Sequence, residues 1–263
     1  MLTLFAFGAV CVCIVMFALW LLSLHNDNFS YVDIGWAANF VVLAIVFVAL
    51  GNGYFGRRLI MGCMYAFAGV RLALHLGARI VGHPEEGRYM QLRRDWGSSG
   101  HLARNFLIFF QAQALLNLIL CVPLALAVMN PTPSLQIVEY VGAALWFIAF
   151  AGESIADRQL ARFKSNPRNA GRVCDIGLWS VSRHPNYFFE WLIWVSYAVF
   201  AWASPFGWLA MAMPLLMLHF LVNVTGVKPT EEQALRSRGD AYRQYQRSVS
   251  MFFPWFPKHG VAR

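Results

Sequence analysis

Long apolar runs, separated by short polar links, extend along the whole chain. A helix needs about 20 mostly apolar residues to cross the hydrocarbon core of a bilayer. Seven segments read as such spans: residues 2–24, 31–50, 59–76, 106–129, 137–156, 187–203 and 206–227. The links at 25–30, 52–58, 130–136 and 204–205 are so short that the helices they join must be antiparallel. Asn130-Pro131-Thr132-Pro133-Ser134 is a turn by its own chemistry. No internal repeat and no low-complexity tract interrupts the pattern. The expected fold is all-α: a polytopic integral membrane protein of about seven transmembrane helices, forming one domain over residues 1–263.

Composition supports this reading. Hydrophobic residues make up 59% of the 263 and charged ones 13%, where a soluble domain carries about 25% charged residues. A bilayer accepts that much apolar surface as solvent. The first run has no basic segment before it, exceeds the ~7–15 residues of a signal-peptide core and is followed by no small-residue cleavage site, so it is read as a helix that stays. Five cysteines, with no C-x-x-C pair, read as buried unpaired thiols and not as a disulfide framework or metal site.

The net charge of +8 is not scattered. Arg79, Arg88, Arg93, Arg94 and Arg104 lie in the third connection. Arg158, Arg162, Lys164, Arg168, Arg172 and Arg183 lie in the fifth, and Lys228, Arg236, Arg238, Arg243, Arg247, Lys258 and Arg263 in the tail. Only Arg57 and Arg58 fall on the other side, and Arg71 falls within a span. The positive-inside rule then places the C-terminus in the cytoplasm and the N-terminus outside, with a bacterial inner membrane as the expected location. No basic stripe or base-reading motif accompanies the charge, so a nucleic-acid partner is not expected.

Several polar groups lie at membrane depth: Asp33, Arg71, Gln111, Gln113, Asn117, Glu153 and Asp157. An ionised group at a helix centre costs about 2.5–3.5 kcal/mol on insertion scales, so each should face a partner or a wet cavity. Membrane-edge placement for Asp33, snorkelling for Arg71 and interhelical hydrogen bonding for the amides are the plain alternatives to function. Glu153 and Asp157 are one turn apart and share a face.

Residues 157–190 carry the densest chemistry. Six basic residues lie between two apolar spans, and Ser182-Arg183-His184-Pro185-Asn186-Tyr187 opens the sixth. Proline suits a first helical turn, and the N–H groups and positive dipole end of that helix suit a phosphate. Arg183 and His184 add charge there, and Asn186 can hydrogen-bond. The tail at 231–254 reads as amphipathic, with Tyr242 and Tyr245 on one helix face beside basic residues. That is a surface for a flat heteroaromatic ring bearing phosphate, or for anionic lipid.

The stretch GLWSVSRHPNYFFEWLIW resembles the signature of the steroid 5-alpha-reductase C-terminal domain-like family of bacterial membrane proteins. The E-S-I-A-D run from Glu153, G-R-V-C-D-I-G from Gly171 and E-x-x-x-x-R-x-x-G-D-x-Y-x-x-Y from Glu231 resemble the same family, as do YVDIGW and EEGRYMQLRRDWG nearer the N-terminus. R-H-P-x-Y is shared with isoprenylcysteine carboxyl methyltransferases and sterol C14-reductases. The resemblance implies a seven-helix fold that takes NADPH from the cytosolic side, in a part spanning residues 150–254. Asp157, Lys164, Arg172, Asn186 and Glu190 match its cofactor positions, with Arg183, His184, Tyr187, Tyr242 and Tyr245 nearby. Lys164 and Arg172 would hold phosphates, and Asn186 and Glu190 the ribose or nicotinamide. The adjacent Gln-Glu pair of the animal steroid reductases is absent. Asp33 is the nearest acidic group, and Tyr65 and Tyr89 stand closest to their catalytic tyrosine. Phe189 occupies a position where the family shows glycine.

The leading expectation is an NADPH-dependent reductase of a conjugated C=C bond in a lipophilic enone entering from the bilayer, with Asp33 or Tyr89 hydrogen-bonding the carbonyl. A methyltransferase using S-adenosylmethionine on a lipid or isoprenylcysteine-type acceptor, and a non-enzymatic lipid-binding protein, are the alternatives. The long basic fifth connection separates the first from the second, because S-adenosylmethionine has no phosphate.

Overall fold

A computed structural model describes residues 1–97 and 100–257 of the chain; Lys258 and Arg263 of the basic tail lie outside them. Among the described residues every regular element is helical. In order these are α1 (Leu2–His25), α2 (Tyr31–Leu50), α3 (Phe55–Ile80), α4 (Gly87–Gly97), α5 (Leu102–Leu120), α6 (Val122–Val128), α7 (Ile137–Ser165), α8 (Pro185–Ala201), α9 (Ala212–His219), α10 (Val227–Arg238) and α11 (Asp240–Ser248). Among the described residues six helical stretches are long and apolar enough to cross a membrane: α1, α2, α3, α5, α7 and the run Gly207–Arg238 that contains α9 and α10. The protein is an all-α polytopic membrane protein. The sixth expected span is α8, which at 17 residues and ~1.5 Å per residue is about 25 Å long, short of a ~30 Å core.

Several boundaries differ from the sequence reading, each for a local reason. The expected span at 106–129 is two helices, because Pro123 lacks an N–H and crowds the preceding turn; α5 stops at Leu120 and α6 restarts at Val122. The expected span at 137–156 runs on to Ser165, because residues 157–165 contain no helix breaker. Asp157 and Lys164 therefore sit on helix and not in a loop. The amphipathic tail is broken at Gly239, whose φ of 51° only glycine adopts without strain, and resumes as α11.

By its contacts the chain forms two compact units. The first comprises Met1–Ile137 with Ala201–Leu209. In it α2 packs against α1, α3 and α5. Asn117 settles its own role here: its Oδ1 accepts from Asn39 Nδ2 at 2.9 Å and its Nδ2 donates to Trp36 O at 3.1 Å, joining α2 to α5. One end of this unit is tied by Arg57, which is fully buried and donates to the carbonyls of Asn130, Thr132 and Ser134 at 3.1, 2.7 and 2.6 Å. Asn130 Nδ2 in turn reaches Ala203 O at 3.1 Å, so the second, fourth and sixth connections share an end. The opposite end joins the first and third connections: Arg93 bridges Asp27 at 2.7 Å and Glu85 at 2.9 Å, and Phe29 stacks on Phe106. Antiparallel alternation is thus visible directly.

The second unit comprises Val138–Phe200 with Ala210–Arg263. A 3₁₀ turn at Gly177–Ser180 is fastened to α7 by Trp179 Nε1 on Ala156 O at 3.0 Å and by Gln159 Oε1 accepting from Leu178 N at 2.9 Å. Trp191 Nε1 donates to Pro214 O at 3.0 Å, which fastens α8 to α9. Residues 157–190 and the tail meet at one end of this unit.

Candidate functional site

The centre of that end is a residue sequence reasoning did not single out, Glu231 on α10. Its Oε1 accepts from Arg183 Nε at 2.7 Å and from the Tyr242 hydroxyl at 3.3 Å, and lies 3.2 Å from His184 Nε2. Its Oε2 accepts from Gln246 Nε2 at 2.8 Å. The signal was present, since Glu231 heads the tail motif; nothing in the sequence said that its partner would be the R-H-P-N-Y arginine.

Arg183 and His184 are buried. Arg183 also donates from its Nη1 to Gln246 O at 2.9 Å and to Val249 O at 2.8 Å, while its backbone N–H donates to Ser250 O at 2.8 Å. Its Nε, Nη1 and backbone N–H are thus engaged inside the protein, clamping the tail to the start of α8. Tyr242 and Tyr245 do share a face, with ring centroids 5.8 Å apart, but that face is buried against Ala234 and Val249. The Tyr245 hydroxyl donates to the Trp179 carbonyl and lies 3.3 Å from Ser182 O. Burial raises the pKa of both tyrosines, and the Glu231 charge adds to the rise at Tyr242. They stay neutral and serve as packing with a polar tip.

The other residues named for the cofactor are less enclosed. Asn186 and Glu190 lie on the first two turns of α8 and are half-buried. Asn186 Oδ1 is shielded from solvent and has no hydrogen-bond partner among the described residues. Tyr187 stacks on His184 at 5.6 Å and its hydroxyl lies 3.4 Å from Thr230 Oγ1. Asp157 is half-buried on α7, while Lys164 and Arg172 are exposed beside Arg158, Arg162 and Arg168. Arg172 presents its carbonyl to Arg238 Nε at 3.0 Å.

In the first unit the two residues named for acid chemistry come together. The Tyr89 hydroxyl donates to Asp33 Oδ1 at 2.7 Å, and Arg88 donates to both. Tyr89 is 1% exposed. Burial, then the neighbouring Asp33 charge, raise its pKa well above the ordinary tyrosine value, so its proton is retained. Asp33 Oδ2 has no hydrogen-bond partner among the described residues. The cluster is held by Glu86, whose backbone N–H donates to Ser30 Oγ at 2.9 Å and whose carboxylate pairs with Arg79 at 2.7 Å. Tyr65, the other tyrosine considered, is buried and donates to Leu120 O at 3.0 Å. Among the described residues no group of three or more His, Cys, Asp or Glu could hold a metal ion.

A helical bundle of membrane spans, with a buried polar lock at one end of its second unit, defines a polytopic membrane protein of helical type. More particularly, the chain belongs to the family described as a protein of unknown function, DUF1295, whose model matches residues 19–249. No curated protein and no solved structure matches it.

Proposed function

We propose that the protein is an NADPH-dependent reductase of a C=C bond in a lipophilic enone, of the steroid 5-alpha-reductase-like type. The observation that carries this is Asn186 Oδ1, a shielded acceptor without a partner among the described residues, beside the Arg183–Glu231 lock. A buried acceptor left unpaired costs roughly 1–3 kcal/mol, and the carboxamide N–H₂ of a nicotinamide is a donor that would relieve it. The cofactor fits the remaining residues as well: Lys164 and Arg172 are exposed cations suited to phosphates, and Glu190 can accept from ribose hydroxyls. Bound NADPH would supply a hydride to the β carbon of the enone.

The chain's own residues would do the rest. Glu231 would hold Arg183 and His184 so that the first turn of α8 keeps Asn186 and Glu190 in place. In the first unit, Tyr89 stays neutral at physiological pH and gives its one hydroxyl proton to Asp33, with Arg88 beside both. The distribution of Lys and Arg supports a cytoplasmic C-terminus and an outside N-terminus, with the substrate drawn from the bilayer.

The test compares thermal unfolding of the purified protein with NADPH, NADH and S-adenosylmethionine. A ligand at about 100 times its Kd stabilises by about 2.7 kcal/mol. NADPH should stabilise the wild type and fail on Asn186→Leu, and NADPH oxidation should require a lipophilic enone. Stabilisation by S-adenosylmethionine alone would indicate the methyltransferase; a folded protein indifferent to all three would leave the lipid-binding reading.

A further inference from the structure

Beyond α9 the last apolar run of the second unit changes its winding. Residues Phe220–Val224 form a π-helical turn, closed by Thr225 N donating to Phe220 O at 2.8 Å. Such turns insert one extra residue into a helix and recur at functional sites. Gly226 ends it where a Cβ would lie 2.4 Å from Leu221 O, so the chain can turn there only with glycine. The turn borders a cleft of about 470 Å³, within the ~300–1,000 Å³ range of small-molecule sites. Its walls include Leu218, Val222, Phe252 and Phe253. Phe252 and Phe253 are fixed from behind by Trp191 and Phe188. One edge is fixed by the lock already described, because Ser250, also in the wall, accepts from Arg183 N.

This apolar cleft contains one polar pair. His219 Nδ1 and Asn223 Nδ2 lie 3.3 Å apart, and no other side-chain hydrogen bond engages either one among the described residues. If the amide donates to Nδ1, the ring proton sits on Nε2, leaving a ring donor and the Asn223 carbonyl acceptor. If the amide is turned over, the ring donates from Nδ1, leaving Nε2 as acceptor and the amide N–H₂ as donor. Either arrangement leaves both donor and acceptor capacity on this one pair. A hydroxyl is the simple group that satisfies both, whereas a carbonyl satisfies one and an alkyl chain neither.

We propose that this cleft is a binding site for a lipophilic alcohol, its hydroxyl held between His219 and Asn223 and its hydrocarbon body along Leu218, Val222, Phe252 and Phe253. The proposal does not rest on the reductase reading. Wild-type protein in phosphatidylcholine vesicles is labelled with diazirine-bearing hexadecanol or with the matching diazirine-bearing hexadecane, and the labelled peptides are identified by mass spectrometry. Labelling of residues 215–253 should favour the alcohol by roughly tenfold, the equivalent of about 1.4 kcal/mol. His219→Phe with Asn223→Leu should bring that preference close to unity while both probes still label. Val222→Trp, which fills the cleft, should suppress both, and it serves alone if the double variant fails to fold. Stabilisation by NADPH, measured on the same preparations, should be unchanged, so the two readings fail separately. Equal labelling by alcohol and alkane would mean that ordinary lipid chains fill the cleft, and the proposal would be overturned. A preference that survives the double variant would overturn it equally.

Discussion

Truncation of Glu231 probes the lock most directly. Glu231→Ala removes four interactions at once: those from Arg183, His184, Tyr242 and Gln246. Summing four hydrogen bonds would overshoot, because they share one carboxylate and are not additive. The better guide is the cost of stranding a buried charge by removing its partner, about 3–5 kcal/mol. The Glu231 side chain is 15% exposed and Arg183 keeps two carbonyl acceptors, which moves the expectation to the lower end, about 3 kcal/mol. For a protein of this size each kcal/mol shifts the midpoint by ~2–4 °C, so the loss should be about 6–12 °C. The assay is tryptophan-monitored unfolding in detergent, run for Glu231→Ala, Arg183→Met and the double variant. Both single variants leave an unpaired charge and the double does not, so it should be less destabilised than the sum by about 2 kcal/mol. A loss below 1 kcal/mol for Glu231→Ala, or additivity within ~0.5 kcal/mol, would show that the four contacts do not form the lock described.

Arg57→Met should cost about 3 kcal/mol, because the carbonyls of Asn130, Thr132 and Ser134 lose a common donor; faster proteolysis within 130–136 would report the loosened turn. Asn117→Leu should cost about 1 kcal/mol by stranding the Asn39 amide, and Asn39→Leu in addition should recover part of it in the same unfolding assay. Tyr89 has a folded-state pKa above its unfolded value, so its stabilisation is full below pH ~10 and is lost as pH rises toward the folded value. Tyr89→Phe should therefore be less stable than wild type at neutral pH, and the gap should close above pH ~10; a gap that widens with pH would contradict the assigned burial.

The spans were legible because a bilayer enforces a length and a polarity that composition alone reveals. The breaks within them were not equally legible. Pro123 and Gly239 are visible breakers, yet an apolar run hid the first and an amphipathic pattern the second. The extension of α7 to Ser165 was hidden because charge was read as a sign of loop, whereas a helix leaving the membrane carries charge freely. For the site, proximity was the missing quantity. Asp33 and Tyr89 are 56 residues apart and meet at 2.7 Å; Arg183 and Glu231 are 48 apart and meet at the same distance. Each residue was visible as a chemical type, but only the fold says which are each other's partners.

That distinction changes how the basic connection is understood. A cation clamped by two carbonyls and a carboxylate inside the protein has little of its guanidinium left for a phosphate. Arg183 is in that position, while Lys164 and Arg172 stand exposed. The R-H-P-N-Y segment is therefore better understood as a two-part device. Its first two residues bind the tail to α8; the next turn, with Asn186, carries the unsatisfied acceptor. Any ligand that engages Asn186 is then sensitive to Glu231 without touching it, because Glu231 fixes the residues from which α8 starts. The same logic separates charge from recognition in the first unit. Arg88 compensates Asp33, which lets Tyr89 remain a neutral donor next to a carboxylate.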